Sequence, residues 1–384
     1  MVNNDFYLNN ACNLNNTCSS INTRLGWLDI MRIVACFLVV LSHATDLFFD
    51  DFKIIAIFKT FVSPCVPLFV MVSAVGLLPL KPQYLNTAFF YKNRLIRILV
   101  PLVIWSIILP LISYLVRVGV CSEEPAEVVF SQEMFNNHGL PRNLWTWIFS
   151  FNHLTYAYWF LYMIVGLYLI MPILNTWLNN SSQQGIKSVL FVWVLTLFLP
   201  YYKLIARWNG FDSVFGLSEW NANDTFYYVS GYAGYVILAY YLVKFPVKLT
   251  KRNKNLLVSS YFFGLLFTIN FLIWTHFYKE DPWQYVLVLF NYCSFNIAMM
   301  VIPIFIYIQN SSYRSSKFLK LVASLTFGIY LLHVPLEWLF GYFIQLWELP
   351  MVPSILIVAT LVFLSAGVIT WILRQGKLTR KLVV

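Results

Sequence analysis

Long apolar runs, separated by short polar segments, recur along the whole sequence. About 20 residues of α-helix cross the hydrocarbon core of a bilayer, and most of these runs approach that length. They lack the strict alternation of barrel strands, so the pattern predicts helices. Ten spans are predicted, at approximately residues 27–45, 61–80, 98–116, 156–178, 186–202, 226–243, 256–275, 284–308, 321–343 and 352–373.

The composition supports a membrane protein. Of the 384 residues, 60% are hydrophobic and only 11% are charged, which is too few polar side chains to cover a water-soluble globule. We therefore predict an all-α fold, a polytopic transmembrane helix bundle. Residues 1–23 are rich in asparagine and are predicted to be a flexible cytoplasmic tail. The membrane domain is predicted over 24–376, followed by a basic cytoplasmic tail at 377–384.

The 26 lysines and arginines exceed the 16 acids, which gives a net charge of +10. The basic residues collect on one side of the predicted spans, as at residues 244–254 and 374–381, and acids collect on the other, as at residues 46–51 and 123–133. By the positive-inside rule both termini are expected in the cytoplasm. The net charge is thus explained by membrane topology and lipid contact, and no nucleic-acid partner is predicted.

Polar groups inside predicted spans are candidates for function, because lipid makes them costly. Arg32 and His43 are separated by 11 residues in the first span, so they share one helix face and lie about 16 Å apart along the axis. Asp29, one turn before Arg32, is placed to neutralise or orient it. One interpretation is that Arg32 reaches the interface and His43 bonds a neighbouring carbonyl; the other is a polar track ending at a base.

Two further groups stand out. Arg94 and Arg97 lie three residues apart where the third span begins, and they are either a topology signal or a phosphate-binding pair. His333 and Glu337, four residues apart in the ninth span, can face one partner. A helix interrupted at Pro335 would free backbone groups beside them. This pair is either a polar link between helices or part of a catalytic site.

Five segments together resemble one family. The sequence is similar to the acyltransferase-3 family of membrane O-acyltransferases, in which an arginine precedes a histidine in the first span, as Arg32 and His43 do. Ala74 stands where that family usually has glycine. The segments that carry the resemblance are LDIMRIVACFLVVLSH at 28–43, VPLFVMVSAVGLL at 66–78, FYKNRLIRILVPLVIW at 90–105, YWFLYMIVGLYLIMPIL at 158–174 and FGIYLLHVP at 327–335.

The resemblance implies an enzyme of a bacterial cytoplasmic membrane that acylates glycans. The donor would be cytoplasmic acyl-coenzyme A, commonly acetyl-coenzyme A, and the acceptor a sugar hydroxyl on a glycan or a lipid-linked sugar; no bound cofactor or metal is expected. His43 carries over as the catalytic histidine, and Arg32, Arg94 and Arg97 as donor-site residues.

The residues themselves fit this chemistry. Imidazole titrates near neutral pH, so His43 can act as a base toward a hydroxyl or carry the acyl group itself. Glu337, or His333 through it, is expected to orient the imidazole or the acceptor, and Asp29 to support Arg32. The rival prediction is a transporter or glycan flippase that uses the same buried groups.

Aromatic residues near the predicted outer face are candidates for sugar stacking, although interfacial belts use the same residues. Tyr158 and Trp159 are the two that we select. The others are Trp145, Trp147, Tyr156 and Trp220.

Overall fold

The computed structural model describes residues 26–48, 51–120, 154–211, 229–278, 283–311, 313 and 316–383, and every regular element in these ranges is helical. The all-α prediction is confirmed. In chain order the α-helices are α1 (Gly26–Ala44), α2 (Phe52–Val62), α3 (Cys65–Leu77), α4 (Thr87–Arg94), α5 (Ile96–Val120), α6 (Trp159–Asn180), α7 (Gln183–Thr196), α8 (Leu199–Trp208), α9 (Ala233–Lys244), α10 (Lys251–Tyr278), α11 (Trp283–Leu289), α12 (Phe295–Gln309), α13 (Lys317–Gln345) and α14 (Met351–Leu373).

Eight stretches of the described chain are long and apolar enough to cross a membrane, and each corresponds to one predicted span. The other two predicted spans contain shorter helices. At 226–243 the helix is α9, with 12 residues, and at 284–308 the chain forms α11 and α12. The break between those two helices lies at Asn291, whose side chain accepts the backbone N–H of Cys293 at 2.9 Å.

The second predicted span is built from α2 and α3. The first of these helices begins at Phe52, because the Asp51 carboxylate accepts the backbone N–H groups of Lys53 at 2.8 Å and Ile54 at 3.3 Å. The chain then breaks at Pro64, which lacks the N–H that would extend the helical ladder, and α3 follows from Cys65.

The described helices form two compact units. The first contains the described parts of Met1–Leu38, Asp51–Asn86 and Ile170–Ala323. Within it α3 packs on α9, and α10 packs antiparallel to α12. The second contains the described parts of Val39–Asp50, Thr87–Leu169 and Ser324–Val384. Helices α1, α6 and α13 each contribute residues to both units.

A buried amide organises the first unit. Asn296, 1% exposed, donates from Nδ2 to Thr268 Oγ1 at 2.7 Å and to the Leu289 carbonyl at 2.8 Å. The hydroxyl groups of Tyr201 and Ser294 each lie 2.5 Å from its Oδ1. Both hydrogens of Nδ2 are therefore donated inside the protein and Oδ1 accepts from Tyr201, which joins α8, α10, α11 and α12.

In the second unit, the C-terminal residues pack on helices. The Trp105 indole in α5 donates to the Leu382 carbonyl at 2.8 Å, so part of the segment 377–384 is held against that helix. Arg374 follows α14 and donates to the Ser324 hydroxyl and carbonyl, at 2.5 and 3.1 Å, which joins the end of α14 to α13.

Candidate active site

His43 lies at the end of α1, in the second unit, and two oxygen atoms face its Nδ1. Asp46 Oδ2 is 3.2 Å away and the Tyr156 hydroxyl is 2.9 Å away. A carboxylate can only accept a hydrogen bond, so this arrangement favours the tautomer with hydrogen on Nδ1. The imidazole then keeps its lone pair on Nε2. The His43 side chain is 19% exposed, so it is accessible without being fully solvated.

His333 faces His43 from α13. The two ring centroids are 5.1 Å apart, and His333 itself is fully buried. Its Nδ1 lies 2.5 Å from the Tyr330 carbonyl, so Nδ1 carries hydrogen and donates it. The opposite nitrogen, Nε2, is buried and has no hydrogen-bond partner among the described residues. A second imidazole lone pair is thus held in a dry position beside His43.

Pro335 explains how the turn carrying Tyr156 is fixed. The predicted interruption of the helix at Pro335 was wrong, because α13 continues through it. Proline nevertheless lacks an N–H, so the carbonyl of Leu331, four residues earlier, has no partner in the helix. The Tyr158 hydroxyl donates to that carbonyl at 2.8 Å, and the Tyr330 hydroxyl donates to the Ala157 carbonyl. These two bonds hold the 3-10 turn Tyr156–Tyr158 against α13.

The end of α1 is held on α13 as well. Gln345 Nε2 donates to the Leu47 carbonyl at 3.0 Å. Gly341 leaves room for the Leu47 side chain, because a Cβ at Gly341 would lie 2.6 Å from Leu47 Cδ1. Helix α13 is therefore the common support for His43 and for the Tyr156 turn, and it supplies His333 itself.

Glu337 lies one turn beyond His333 on α13 and is 1% exposed. The Tyr156 hydroxyl is within electrostatic range of both Glu337 and Asp46. Two carboxyl groups therefore lie near Tyr156, and one of them, Asp46, also contacts His43. Trp159 begins α6 and is half-buried, whereas Tyr158 is 1% exposed and its hydroxyl is bound to Leu331. Of the two predicted sugar contacts, only Trp159 has an accessible ring.

The predicted arginine pair lies on either side of a helix boundary in the second unit. Arg94 ends α4 and is half-buried, and Arg97 lies in the first turn of α5 and is exposed. The pair is anchored to α6, because the Tyr91 hydroxyl, one turn before Arg94, donates to the Leu169 carbonyl at 2.7 Å.

Asp29 and Arg32 belong to the first unit. Asp29 is 1% exposed, and Arg32 is half-buried with its guanidinium against α3. A Cβ at Gly76 would lie 3.0 Å from Arg32 Nη2, so the absence of a side chain at Gly76 makes room for the arginine. The close approach is thus at Gly76, two residues after the Ala74 that departs from the family pattern.

A sequence model of the acyltransferase-3 family, described as an acyltransferase domain, matches residues 25–374. The chain belongs to the acyltransferase-3 family. It is a multi-pass membrane acyltransferase, as the helices and the family together establish. No curated protein and no solved structure matched the chain.

Two residues of this candidate site were not predicted from sequence. Asp46 was taken only as an outer acidic residue, although its spacing of three residues from His43 places both on one side of a helical turn. Tyr156 was considered only for sugar stacking, and no local pattern pairs it with His43. Trp145, Trp147 and Trp220 lie outside the described residues. Within those residues no group of three His, Cys, Asp or Glu side chains is arranged to hold a metal ion.

Proposed function

We propose that this acyltransferase moves an acyl group, commonly acetyl, from cytoplasmic acyl-coenzyme A to a sugar hydroxyl of a cell-surface or lipid-linked glycan. The observation that carries the proposal is the contact of His43 Nδ1 with Asp46, which leaves Nε2 as a base. The same relation of carboxylate, imidazole and hydroxyl activates the nucleophile in triad enzymes. Here the hydroxyl belongs to the acceptor.

The reaction follows from this arrangement. His43 Nε2 takes the proton of the acceptor hydroxyl as its oxygen attacks the thioester carbonyl carbon. The tetrahedral intermediate collapses, the carbon–sulfur bond breaks, and the coenzyme A thiolate takes the proton from the imidazolium. Asp46 stabilises the positive charge on His43 between these two steps. An acyl-histidine intermediate on the same nitrogen is the alternative course, and it would be detected as acyl-enzyme formed without acceptor.

His333 and Glu337 are proposed to position the reacting groups. The ring centroid of His333 lies 5.1 Å from that of His43, and its buried Nε2 is proposed to accept a hydrogen bond from the acceptor hydroxyl once the bound acceptor has displaced the groups that cover it. Glu337 lies near Tyr156, which contacts His43 Nδ1, and it is proposed to help hold the imidazole in its orientation. Trp159 is proposed to stack on the sugar, and Tyr158 to support it by holding the turn.

The donor is proposed to enter from the side that carries Arg94 and Arg97. Tyr91 ties this segment to Leu169, which lies about 15 Å along α6 from Trp159. We propose that the pantetheine arm of coenzyme A follows this stretch of α6, with its phosphates at the arginines and its thioester at the histidines. Arg32, supported by Asp29, is proposed as a further donor contact on the strength of the family pattern. We propose the matching orientation for the whole chain, with both termini on the cytoplasmic side of a bacterial inner membrane.

Labelled acetyl-coenzyme A with purified protein and candidate glycans tests the proposal. His43→Gln is expected to reduce transfer on the order of 10²- to 10⁴-fold, the usual contribution of a general base. The matched control is His276→Gln, because His276 stacks on Phe52 with centroids 4.0 Å apart in the first unit. Normal transfer by a folded His43→Gln protein would exclude the assignment. Movement of glycan without consumption of acyl-coenzyme A would instead favour a flippase.

The arginines require a separate measurement. Arg94→Gln with Arg97→Gln is expected to raise KM for acyl-coenzyme A about tenfold or more, since each arginine would lose a charge-assisted bond to phosphate, and to leave kcat nearly unchanged. Lys187→Gln, at an exposed lysine of α7, is the control. An unchanged KM would reduce the pair to a topology signal.

A further inference from the structure

A groove between α10 and α12, in the first unit, has no part in the proposed reaction. The two helices are in close contact at Gly264, where a Cβ would lie 2.7 Å from the Asn296 carbonyl oxygen. Nearer the start of α10 they enclose a groove of about 320 Å³, lined by apolar side chains that include Val258, Phe262 and Ile304. Val258 is 43% exposed and Phe262 51% exposed, so the groove is open to the surroundings.

A basic cluster lies at one end of this groove. Lys248, Lys251, Arg252 and Lys254 are all exposed, and none forms an ion pair with another described residue. The Tyr307 hydroxyl, from the groove wall, lies 3.4 Å from the Lys254 carbonyl, so the groove ends where the cluster begins.

The helical spacing directs part of the cluster toward the groove. Lys251 and Lys254 precede Val258 by seven and four residues, so all three share one face of α10. Asn253 Nδ2 donates to the Lys248 carbonyl at 2.8 Å, which holds the preceding loop beside the start of the helix. Lys251 and Lys254 therefore lie directly before the apolar groove on the same face of α10.

We propose that the groove and the basic cluster bind an anionic phospholipid, with one acyl chain in the groove and the phosphate at Lys251 and Lys254. Helix α10 has the smallest buried share, 17%, of the eight spanning stretches found in the described chain, so most of its surface faces lipid. Its first turn lies at the end of the span, at the depth of the headgroups, whichever side that is. Lysine stems can follow the apolar surface while the ammonium groups meet phosphate.

The positive charge of the cluster favours an anionic lipid over a second copy of the chain as the occupant of the groove. Two copies joined through this face would bring together two sets of four cations, with no acid in the cluster to offset the repulsion. An anionic headgroup supplies the missing negative charge, and its acyl chain matches the apolar groove. The inference does not depend on the proposed acyl transfer.

Native mass spectrometry of the detergent-purified full chain tests this site. Phosphatidylglycerol and phosphatidylcholine with the same acyl chains are titrated separately. The wild type is expected to bind phosphatidylglycerol more tightly, and Lys251→Ala with Lys254→Ala is expected to weaken that binding about tenfold or more. Val258→Trp, which fills the groove, is expected to weaken binding of both lipids.

The control pair is Lys317→Ala with Lys320→Ala, which removes two exposed lysines from the start of another long span, α13. It is expected to leave the preference unchanged, and thermal unfolding confirms that each variant is folded. Equal affinity of the wild type for the two lipids would overturn the proposal, as would an equal loss in the control pair. Tighter binding of a polyprenyl phosphate through the same lysines, or a dimer that Val258→Trp dissociates, would assign the groove to that occupant instead.

Discussion

Two buried polar clusters in this protein differ in how completely their hydrogen bonds are made. Around Asn296 every donor and acceptor of the amide has a partner within the protein. Around His43 and His333 the outcome is different, because His333 Nε2 is buried without a partner among the described residues. A buried nitrogen without a partner costs stability, whereas an amide with all its partners stabilises the fold, so the two clusters should respond differently to substitution.

Proline creates a second parallel between the two units. Pro335 frees the Leu331 carbonyl, to which Tyr158 donates at 2.8 Å, and Pro303 frees the Met299 carbonyl, to which Ser260 donates at 3.0 Å. In the first unit, the Ser260 hydroxyl joins α10 to α12. In α13 the donor fixes the turn that carries Tyr156 to His43. The same backbone feature therefore supports helix packing in one place and the candidate active site in the other.

Removing Asn296 is expected to have the largest effect on stability. Asn296→Leu leaves four polar groups without their shared partner and should lower the free energy of unfolding by about 2–3 kcal/mol. Acyl transfer per folded molecule should stay near the wild-type value. Thermal unfolding in detergent measures the first and transfer assays the second. Asn270→Leu is the control, because the Asn270 side chain donates to the Leu266 carbonyl of the same helix, α10, at 2.7 Å. An equal loss of stability in Asn270→Leu would show that the bonds of Asn296 between helices have no special importance.

Asp46→Asn is expected to affect catalysis and leave the fold intact. Loss of the carboxylate removes the group that orients and stabilises protonated His43, so transfer should fall about 10- to 100-fold. Asp51→Asn is the matched control, since asparagine caps a helix as well as aspartate does. Equal transfer by the Asp46→Asn and wild-type proteins would show that His43 acts without this carboxylate.

His333→Phe separates the two clusters most sharply. The substitution keeps a ring and removes the unpaired nitrogen, so stability should change by less than about 1 kcal/mol, while transfer falls about tenfold through loss of one substrate hydrogen bond. Stability and kcat are measured on the same preparation. His333 would be a structural residue if His333→Phe lowered stability as much as Asn296→Leu does while transfer per folded molecule stayed at the wild-type value.

The smallest effect on transfer is expected from the proline-freed carbonyl of α13. Tyr158→Phe should cost about 1 kcal/mol in the wild type and less in a Pro335→Ala background, where the backbone N–H restored by the substitution can bond the Leu331 carbonyl. The Ser260→Ala and Pro303→Ala pair should show a similar coupling in unfolding experiments. Only the Tyr158 variant should also lower transfer. Strictly additive effects in both cycles would mean that these hydroxyl groups do not compensate the prolines.

Much of the fold could be predicted from the sequence because each span is a local property. The length of the apolar runs was sufficient to predict the eight stretches of the described chain that can span a membrane. It could not detect the break at Asn291–Ser294, because both flanking segments are apolar and the break depends on side-chain bonds made by Asn291. Likewise the effect of Pro335 depended on a distant partner, Tyr158, which stabilises the continuous helix.

For the site, the sequence by itself was sufficient to recognise the family motifs. It also identified the polar residues whose burial in lipid has a high free-energy cost, including His43, His333 and Glu337. Helical periodicity is sufficient for groups on one helix. Only the tertiary structure decided that His333 faces His43, and that Asp46 and Tyr156 share its Nδ1. Asp46 is only three residues from His43, whereas the contacts of His333 and Tyr156 with His43 join separate elements that α13 supports. Their distances depend on how helices pack, which no local pattern encodes.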